Sequence, residues 1–210
     1  MNDFTVVIPA RFASERLPGK PLRDLVGKPM IAHVCDRARE SSAAEVIVAT
    51  DAERIAEACE AYGVEVCMTG NQHRSGTERI AEVADIMDWD DSRIVINLQG
   101  DEPTMPAALV DQCASLLADS DADIATLASP LAALDDYRNP NVVKVVVDAA
   151  DNALYFTGDA RRLVVLADVP RLLTPERLTR VPDGVTDEDA LAMILSAVTP
   201  YQMLHRVAKA

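Results

Sequence analysis

The 210 residues carry a formal net charge of −14 and are 49% hydrophobic, which is length and apolar content enough to bury the core of one ordinary domain. So acidic a chain is a poor match for nucleic acid, whose binders need clustered Lys and Arg to displace phosphate counterions. Cys35, Cys59, Cys67 and Cys113 are widely separated with no Cys-x-x-Cys pair, so zinc-ligand spacing is absent and buried, reduced thiols are expected.

The chain opens on Met-Asn-Asp-Phe without the basic n-region or cleavage site of a signal peptide. No apolar run approaches the roughly 18 residues of a membrane span. We therefore expect a soluble, cytoplasmic protein with no membrane insertion. The β-branched run Thr5–Ile8 predicts a first strand, and the period of Met30–Glu40 predicts a helix whose Ile31, Val34, Cys35 and Ala38 share one face. Strand and helix then alternate through Val46–Thr50, Glu53–Tyr62, Val64–Met68, Thr77–Met87, Ile94–Leu98 and Pro106–Leu117. That order predicts an α/β fold, a mostly parallel or mixed sheet with helices on both faces. Ile124–Ala128, Val142–Val147 and Ala153–Phe156 read as extra strands completing the sheet. Beyond Thr157 the pattern offers a strand at Leu163–Ala167, a short helix at Pro175–Arg180 and an amphipathic helix at Asp187–Val198. No linker demands a second domain, so residues 1–210 are expected to form one.

Charge is unevenly spread. Residues 1–28 hold Arg11, Arg16, Lys20, Arg23 and Lys28 against Asp3, Glu15 and Asp24, a net +2 that leaves −16 to the rest. The segment Pro9 to Leu22 leaves the first strand as a long turn with three cations, and in an α/β sheet such a turn lies at the strand carboxyl end, where ligands bind. These cations suit a triphosphate, with Lys20 as a point charge; a solvated surface turn is the plain alternative. Pro21 follows Gly19-Lys20, so the P-loop spacing is not met.

A second turn, Asn97-Leu98-Gln99-Gly100-Asp101-Glu102-Pro103, follows a strongly apolar strand. A carboxylate there can coordinate Mg²⁺, and Asp101 is the better candidate because Glu102 can stay in solvent or lead the next helix; a purely structural turn is the plain alternative. A third segment, His73-Arg74-Ser75-Gly76-Thr77-Glu78-Arg79, reads as a capping box opening a helix. The same helix start could offer N–H groups to a base or phosphate, with Arg79 one turn in. Gly-x-Ser-x-Gly, His-Glu-x-x-His and Gly-x-Gly-x-x-Gly are all missing, which counts against hydrolase, zinc-protease and dinucleotide-dehydrogenase readings.

Together, Val7-Ile8-Pro9-Ala10-Arg11-Phe12-Ala13-Ser14, Leu17-Pro18-Gly19-Lys20-Pro21-Leu22, Gly27-Lys28-Pro29-Met30-Ile31, Ile47-Val48-Ala49-Thr50-Asp51, Ser75 to Arg79, Gln99 to Pro103, Asn139 to Val146 and Ala153 to Phe156 closely resemble the 3-deoxy-manno-octulosonate (Kdo) cytidylyltransferases of lipopolysaccharide biosynthesis. The resemblance covers about three-quarters of the chain, in the family's order. It implies a nucleotide-diphospho-sugar transferase, Rossmann-like fold and a Mg²⁺-dependent reaction in which CTP and Kdo give CMP-Kdo and pyrophosphate. By the same resemblance, Ala10, Arg11, Ser14, Lys20, Ser75, Gly76 and Arg79 bind the nucleotide. Arg11, Lys20 and Asp101 serve catalysis, Gln99 faces the sugar, and Asp101 holds the metal. CTP and the acidic sugar are the implied partners, with a homodimer as candidate assembly.

After Phe156 the family continues with Ser-Arg, a proline-tryptophan strand and a His-Ile-Gly-Ile-Tyr-Gly-Tyr-Arg stretch; this chain has Thr157-Gly158 and neither later motif. Gly184 to Leu191 is a loose counterpart to the family's final Val-Asp-Thr-Pro-Glu-Asp-Leu and, with Leu173-Thr174-Pro175-Glu176, resembles at least as well the tail of methylerythritol-phosphate cytidylyltransferases, whose Thr-Asp-Glu turn implies Asp187 as a second metal ligand. Helix capping by Thr186 or Asp187 is the alternative. Three readings stand at this point: CMP-Kdo formation, cytidylyl transfer to another sugar acid or polyol phosphate, and a nucleotide-binding protein with impaired turnover.

Overall fold

The computed structural model describes residues 3–13, 18–131, 133–148 and 151–158, with the backbone of 193–194 and 203–204. Its contacts divide into two compact units, residues 1–126 with 201–210, and residues 127–200.

The first unit is built on β1 (Phe4–Ala10), whose residues are almost all buried, as expected of a central parallel strand covered on both faces. A 3-10 turn at Lys20–Leu22 and the short hairpin β2 (Asp24–Leu25) with β3 (Lys28–Pro29) lead into α1 (Met30–Arg39). β4 (Glu45–Thr50), α2 (Glu53–Ala61), β5 (Glu65–Met68), α3 (Gly76–Ile86), β6 (Ile94–Asn97) and α4 (Ala107–Ala118) follow. These agree with the alternation predicted from the sequence to within a residue or two at most ends, and at β1 the strand runs on two residues past Ile8 to Ala10.

β6, β1, β4 and β5 lie side by side and parallel, with Ala10 opposite Thr50 and Val7 opposite Asn97. Right-handed crossovers explain the layering. The chain moves outward from β1 to β4 to β5 and then returns past β1 to β6, so α3 covers the face opposite α1 and α2. Val7, Ile47, Ala49, Cys67 and Val95 pack there against Ile80 and Val83. The two-residue period of the strand turns Val6 and Ile8 to the other face. All four cysteines are buried thiols outside any disulfide, as the composition suggested, and burial pushes the Cys113 thiol up to about 11. No helix among the described residues is long and apolar enough to cross a membrane.

The second unit holds β7 (Ser129–Pro130), α5 (Leu134–Arg138), β8 (Lys144–Val147), β9 (Ala153–Thr157) and β10 (Met193–Ile194), the strands in the order β7-β10-β8-β9 and antiparallel. Three expectations are corrected here. Ile124–Ala128 is not a strand; pairing begins at Ser129, and Ile124 is more than half exposed. β8 and β9 were expected to complete one mixed sheet but belong to this second sheet, and the short connection between them makes their own pairing antiparallel. Within the predicted helix Asp187–Val198, residues 193–194 instead pair with β7 and β8, so sheet hydrogen bonding overrides the helical period. Leu131, Tyr137 and Val146 form this unit's core. Lys144 is fully buried, its ammonium donating to the carbonyls of Asn139, Val142 and Gly158 at 2.7, 2.9 and 2.8 Å. A last strand, β11 (Met203–Leu204), pairs antiparallel with β6 in the first unit. The predicted elements at Leu163–Ala167 and Pro175–Arg180 lie outside the described residues.

The ends of β1 and β6 meet at Gly100. A Cβ there would sit 2.9 Å from the Pro9 carbonyl oxygen and 3.4 Å from Ile31, and a backbone atom cannot swing aside as a side-chain tip can. Gly100→Ala should therefore destabilise the fold by about 1–3 kcal/mol. Urea denaturation checks this, and an unchanged midpoint would show that the junction is slack.

Candidate active site

β6 gives its last strand hydrogen bonds at the level of Val7, while β1 continues to Ala10, so the β6 turn passes under the end of β1. Leu98 N–H donates to the Val7 carbonyl at 3.1 Å, and Gly100 lies against Pro9 and Ala10. The start of α3 closes on the same point. A Cβ on Gly76 would meet Pro9 at 2.9 Å and the Gln99 amide nitrogen at 3.4 Å. Pro9 is thus the hub on which Ala10, Gly76, Gln99 and Gly100 converge. Gln99 Nε2 donates to Asn97 Oδ1 at 2.7 Å, which orients the amide at the strand end.

Beyond Pro9 the chain turns outward. Arg11 is exposed, and Gly19 N–H donates to the Phe12 carbonyl at 3.0 Å, closing the turn. Gly19 needs its φ of +70° here, a left-handed conformation that costs glycine little. Lys20 then reaches across 81 positions of sequence to place Nζ 2.5 Å from Asp101 Oδ2. The two side chains are 38% and 40% exposed, so the pair contributes little to stability. Beside it, burial raises the Glu102 pKa, the Asp101 charge raises it further, and Lys20 partly offsets both.

The α3 start is a real cap. Ser75 Oγ accepts from Glu78 N–H at 3.1 Å, and the Glu78 carboxylate reaches back to Arg74 N–H at 2.7 Å. Arg79 points away from this surface into the protein. It is only 3% exposed, and its guanidinium donates to Thr69 Oγ1, to the Gly70 carbonyl at 3.2 Å and to Asp51 Oδ2 at 3.1 Å. From within α3, Glu82 accepts from the loop's Gly70 N–H at 2.8 Å and pairs with His73, and these bonds, the His73 one foremost, lower its pKa.

The structure therefore brings together Ala10, Gly76 and Gln99 around Pro9, pairs Lys20 with Asp101, and leaves Arg11 and Ser75 exposed. Ser14 and Asp187 lie outside the described residues. Sequence reading missed Pro9 as the hub and Asp51 as the partner of Arg79. A carboxylate immediately after an apolar strand was the available signal for Asp51. Among the described residues no group of three or more His, Cys, Asp or Glu is placed to hold a metal ion.

A family model described as Cytidylyltransferase matches residues 5–163. Among solved structures, a CMP:2-keto-3-deoxy-manno-octonic acid synthetase complexed with CTP is 37% identical, with a TM-score of 0.76 over 97% of this chain and 75% of that one. A cytidylyltransferase from Leptospira borgpetersenii serovar Hardjo-bovis is 20% identical, with a TM-score of 0.52 over 81% of this chain and 66% of that one. A 4-diphosphocytidyl-2C-methyl-D-erythritol synthase is 16% identical, with a TM-score of 0.52 over 63% and 62%. The last two bear on the fold alone, which is the Rossmann-like α/β arrangement of nucleotidyltransferases.

Proposed function

Since the chain belongs to the cytidylyltransferase family, and is thus a nucleotidyltransferase, we propose that it joins CTP to Kdo, giving CMP-Kdo and pyrophosphate for lipopolysaccharide biosynthesis. The observation that carries this reading is the 37% identity, across 97% of this chain, to a synthetase for that sugar nucleotide complexed with CTP. Breadth of that coverage also weighs against the two readings based on an atypical tail.

In the reaction the anomeric hydroxyl oxygen of the sugar forms a bond to the α-phosphorus of CTP. The α–β bridging bond breaks, pyrophosphate leaves with its electron pair, and the hydroxyl proton passes to solvent. Neither a covalent enzyme intermediate nor a dedicated histidine base is needed, because positioning and charge stabilisation supply most of the rate. We assign Arg11 and Lys20 to the triphosphate, Ala10, Ser75 and Gly76 to the nucleoside, and Gln99 to the sugar, with Ser14 an expected further phosphate contact. Pro9 fixes the relative position of Ala10, Gly76 and Gln99, and Arg79 holds the loop that leads into Ser75.

The residues present suit Mg²⁺. Asp101 is a half-exposed carboxylate at the strand end, and this ion is commonly held by one or two carboxylates together with substrate phosphates rather than by an all-protein cage. Asp101 would hold it, with Asp187 as the proposed second carboxylate, and the ion would neutralise charge on the triphosphate. Lys20 lies where it can exchange Asp101 for the phosphates. A cytoplasmic location and a homodimer remain parts of the proposal that rest on the family resemblance.

Incubation with CTP, Mg²⁺ and Kdo should yield CMP-Kdo and pyrophosphate one for one, read by mass spectrometry and a pyrophosphate assay. Product with a polyol phosphate and none with Kdo would overturn the acceptor. CTP binding without any product would favour impaired turnover.

A further inference from the structure

The turn between Arg11 and Lys20 carries two cations, and Arg11, Ala13 and Pro18 near its ends are exposed, so those ends need an anchor. Part of that anchor is its own backbone: Gly19 N–H donates to the Phe12 carbonyl, and the Phe12 ring edge lies 3.3 Å from where a Gly19 Cβ would be. The rest comes from outside the turn. Arg54, exposed in the first turn of α2, sits over the Phe12 ring with its guanidinium carbon 5.8 Å from the centroid. The 3-10 turn carrying Lys20 also packs on α1 and α2, with Pro21 buried. One aromatic ring thus touches both the end of the turn at Gly19 and a cation on the helix that supports it.

We infer that Arg54, acting through Phe12, is a positioning residue for the nucleotide-binding turn. This rests on the proposed reading that the turn takes the triphosphate. A guanidinium over an aromatic face is attracted by the ring quadrupole. Phe12 directly follows Arg11, and its carbonyl closes the turn one residue before Lys20, so fixing the ring fixes the backbone on which both cations are mounted. The reaction itself does not need Arg54 to reach the phosphates.

The test is calorimetric titration of Mg²⁺·CTP into the full chain and into Arg54→Leu, Arg54→Lys, Phe12→Leu and the Arg54→Leu/Phe12→Leu double variant, with turnover and thermal unfolding of each. Arg54→Leu should weaken CTP about two- to fivefold, with the loss in KM for CTP rather than kcat and little change in Tm. Arg54→Lys should recover most of the affinity. The double variant should bind no worse than Phe12→Leu alone, because contacting residues do not add. Unchanged affinity in Arg54→Leu, or a double variant whose loss is the product of the two single losses, would overturn the inference; the latter would give Arg54 a contact of its own. Amide hydrogen exchange at Gly19 supplies a readout that needs no nucleotide. It should quicken in Arg54→Leu and return in Arg54→Lys even if the wild type bound no CTP, which would defeat the proposed function and not this clasp. Unchanged exchange would overturn the clasp whatever CTP does.

Discussion

Asp101→Asn should fold as the wild type does and lose turnover on the order of 10²–10³-fold at saturating CTP, the scale of losing one electrostatic partner of a transition state. The substitution keeps the shape of the side chain and removes its charge. Stability should change by less than about 1 kcal/mol, since the ion pair with Lys20 is exposed on both sides. Lys20→Ala tests the other half of the pair and should behave differently. It removes a charge-assisted phosphate contact, so CTP binding should weaken by about 1.5–3 kcal/mol. In Asp101→Asn a neighbouring group gives an independent check. Glu102 is held above its ordinary value by burial and by the Asp101 charge, so its pKa should fall when that charge goes, which NMR titration can follow. Wild-type rates for Asp101→Asn across a Mg²⁺ titration would make the turn after β6 purely structural.

What the sequence made legible was local. β-Branched runs marked β1, β4 and β6 because strands buried on both faces can carry little but apolar residues, and a period of three to four marked α1 because one face packs on the sheet. The Ser75–Glu78 cap was readable for the same reason, its two partners being three residues apart. Pairings that depend on topology were not readable in that way. Lys20 and Asp101 stand 81 positions apart, and Asp51 and Arg79 stand 28 apart. Each meets only because the strand order β6-β1-β4-β5 brings several strand ends to one edge. The cationic turn could be read as a class of site, whereas the pairing of its Lys20 with Asp101 needed the end of β1 beside the end of β6. After residue 124 short apolar runs gave no period long enough to separate strand from connection, and there the strand boundary moved to Ser129.

Arg79→Met should be the most destabilising of the site variants, by about 3 kcal/mol, and should weaken CTP binding as a consequence. The guanidinium spans three groups from two strand ends: Thr69 and Gly70 after β5, and Asp51 after β4. Its side chain is 4% exposed and that of Asp51 18%. Removing one partner of so enclosed a pair strands the other charge away from water, a loss in the range of about 3–5 kcal/mol; the remaining exposure of Asp51 sets the lower end. Asp51→Asn should also destabilise, since it leaves the guanidinium buried without its counter-charge. The double variant Asp51→Asn/Arg79→Met should lose less than the sum, because neither charge is then left alone. The effect on function follows from the chain path. Thr69 and Gly70 begin the loop that ends at Ser75, and Ser75 starts the helix whose Gly76 packs on Pro9. A loosened loop misplaces that helix start against Ala10 and Gln99, so affinity for CTP falls in step with stability. Urea unfolding and CTP titration on the same variants separate the two routes. Arg79→Met within about 0.5 kcal/mol of wild type but weak toward CTP would put the guanidinium on the nucleotide itself, and the buried pair would then not be what holds the loop.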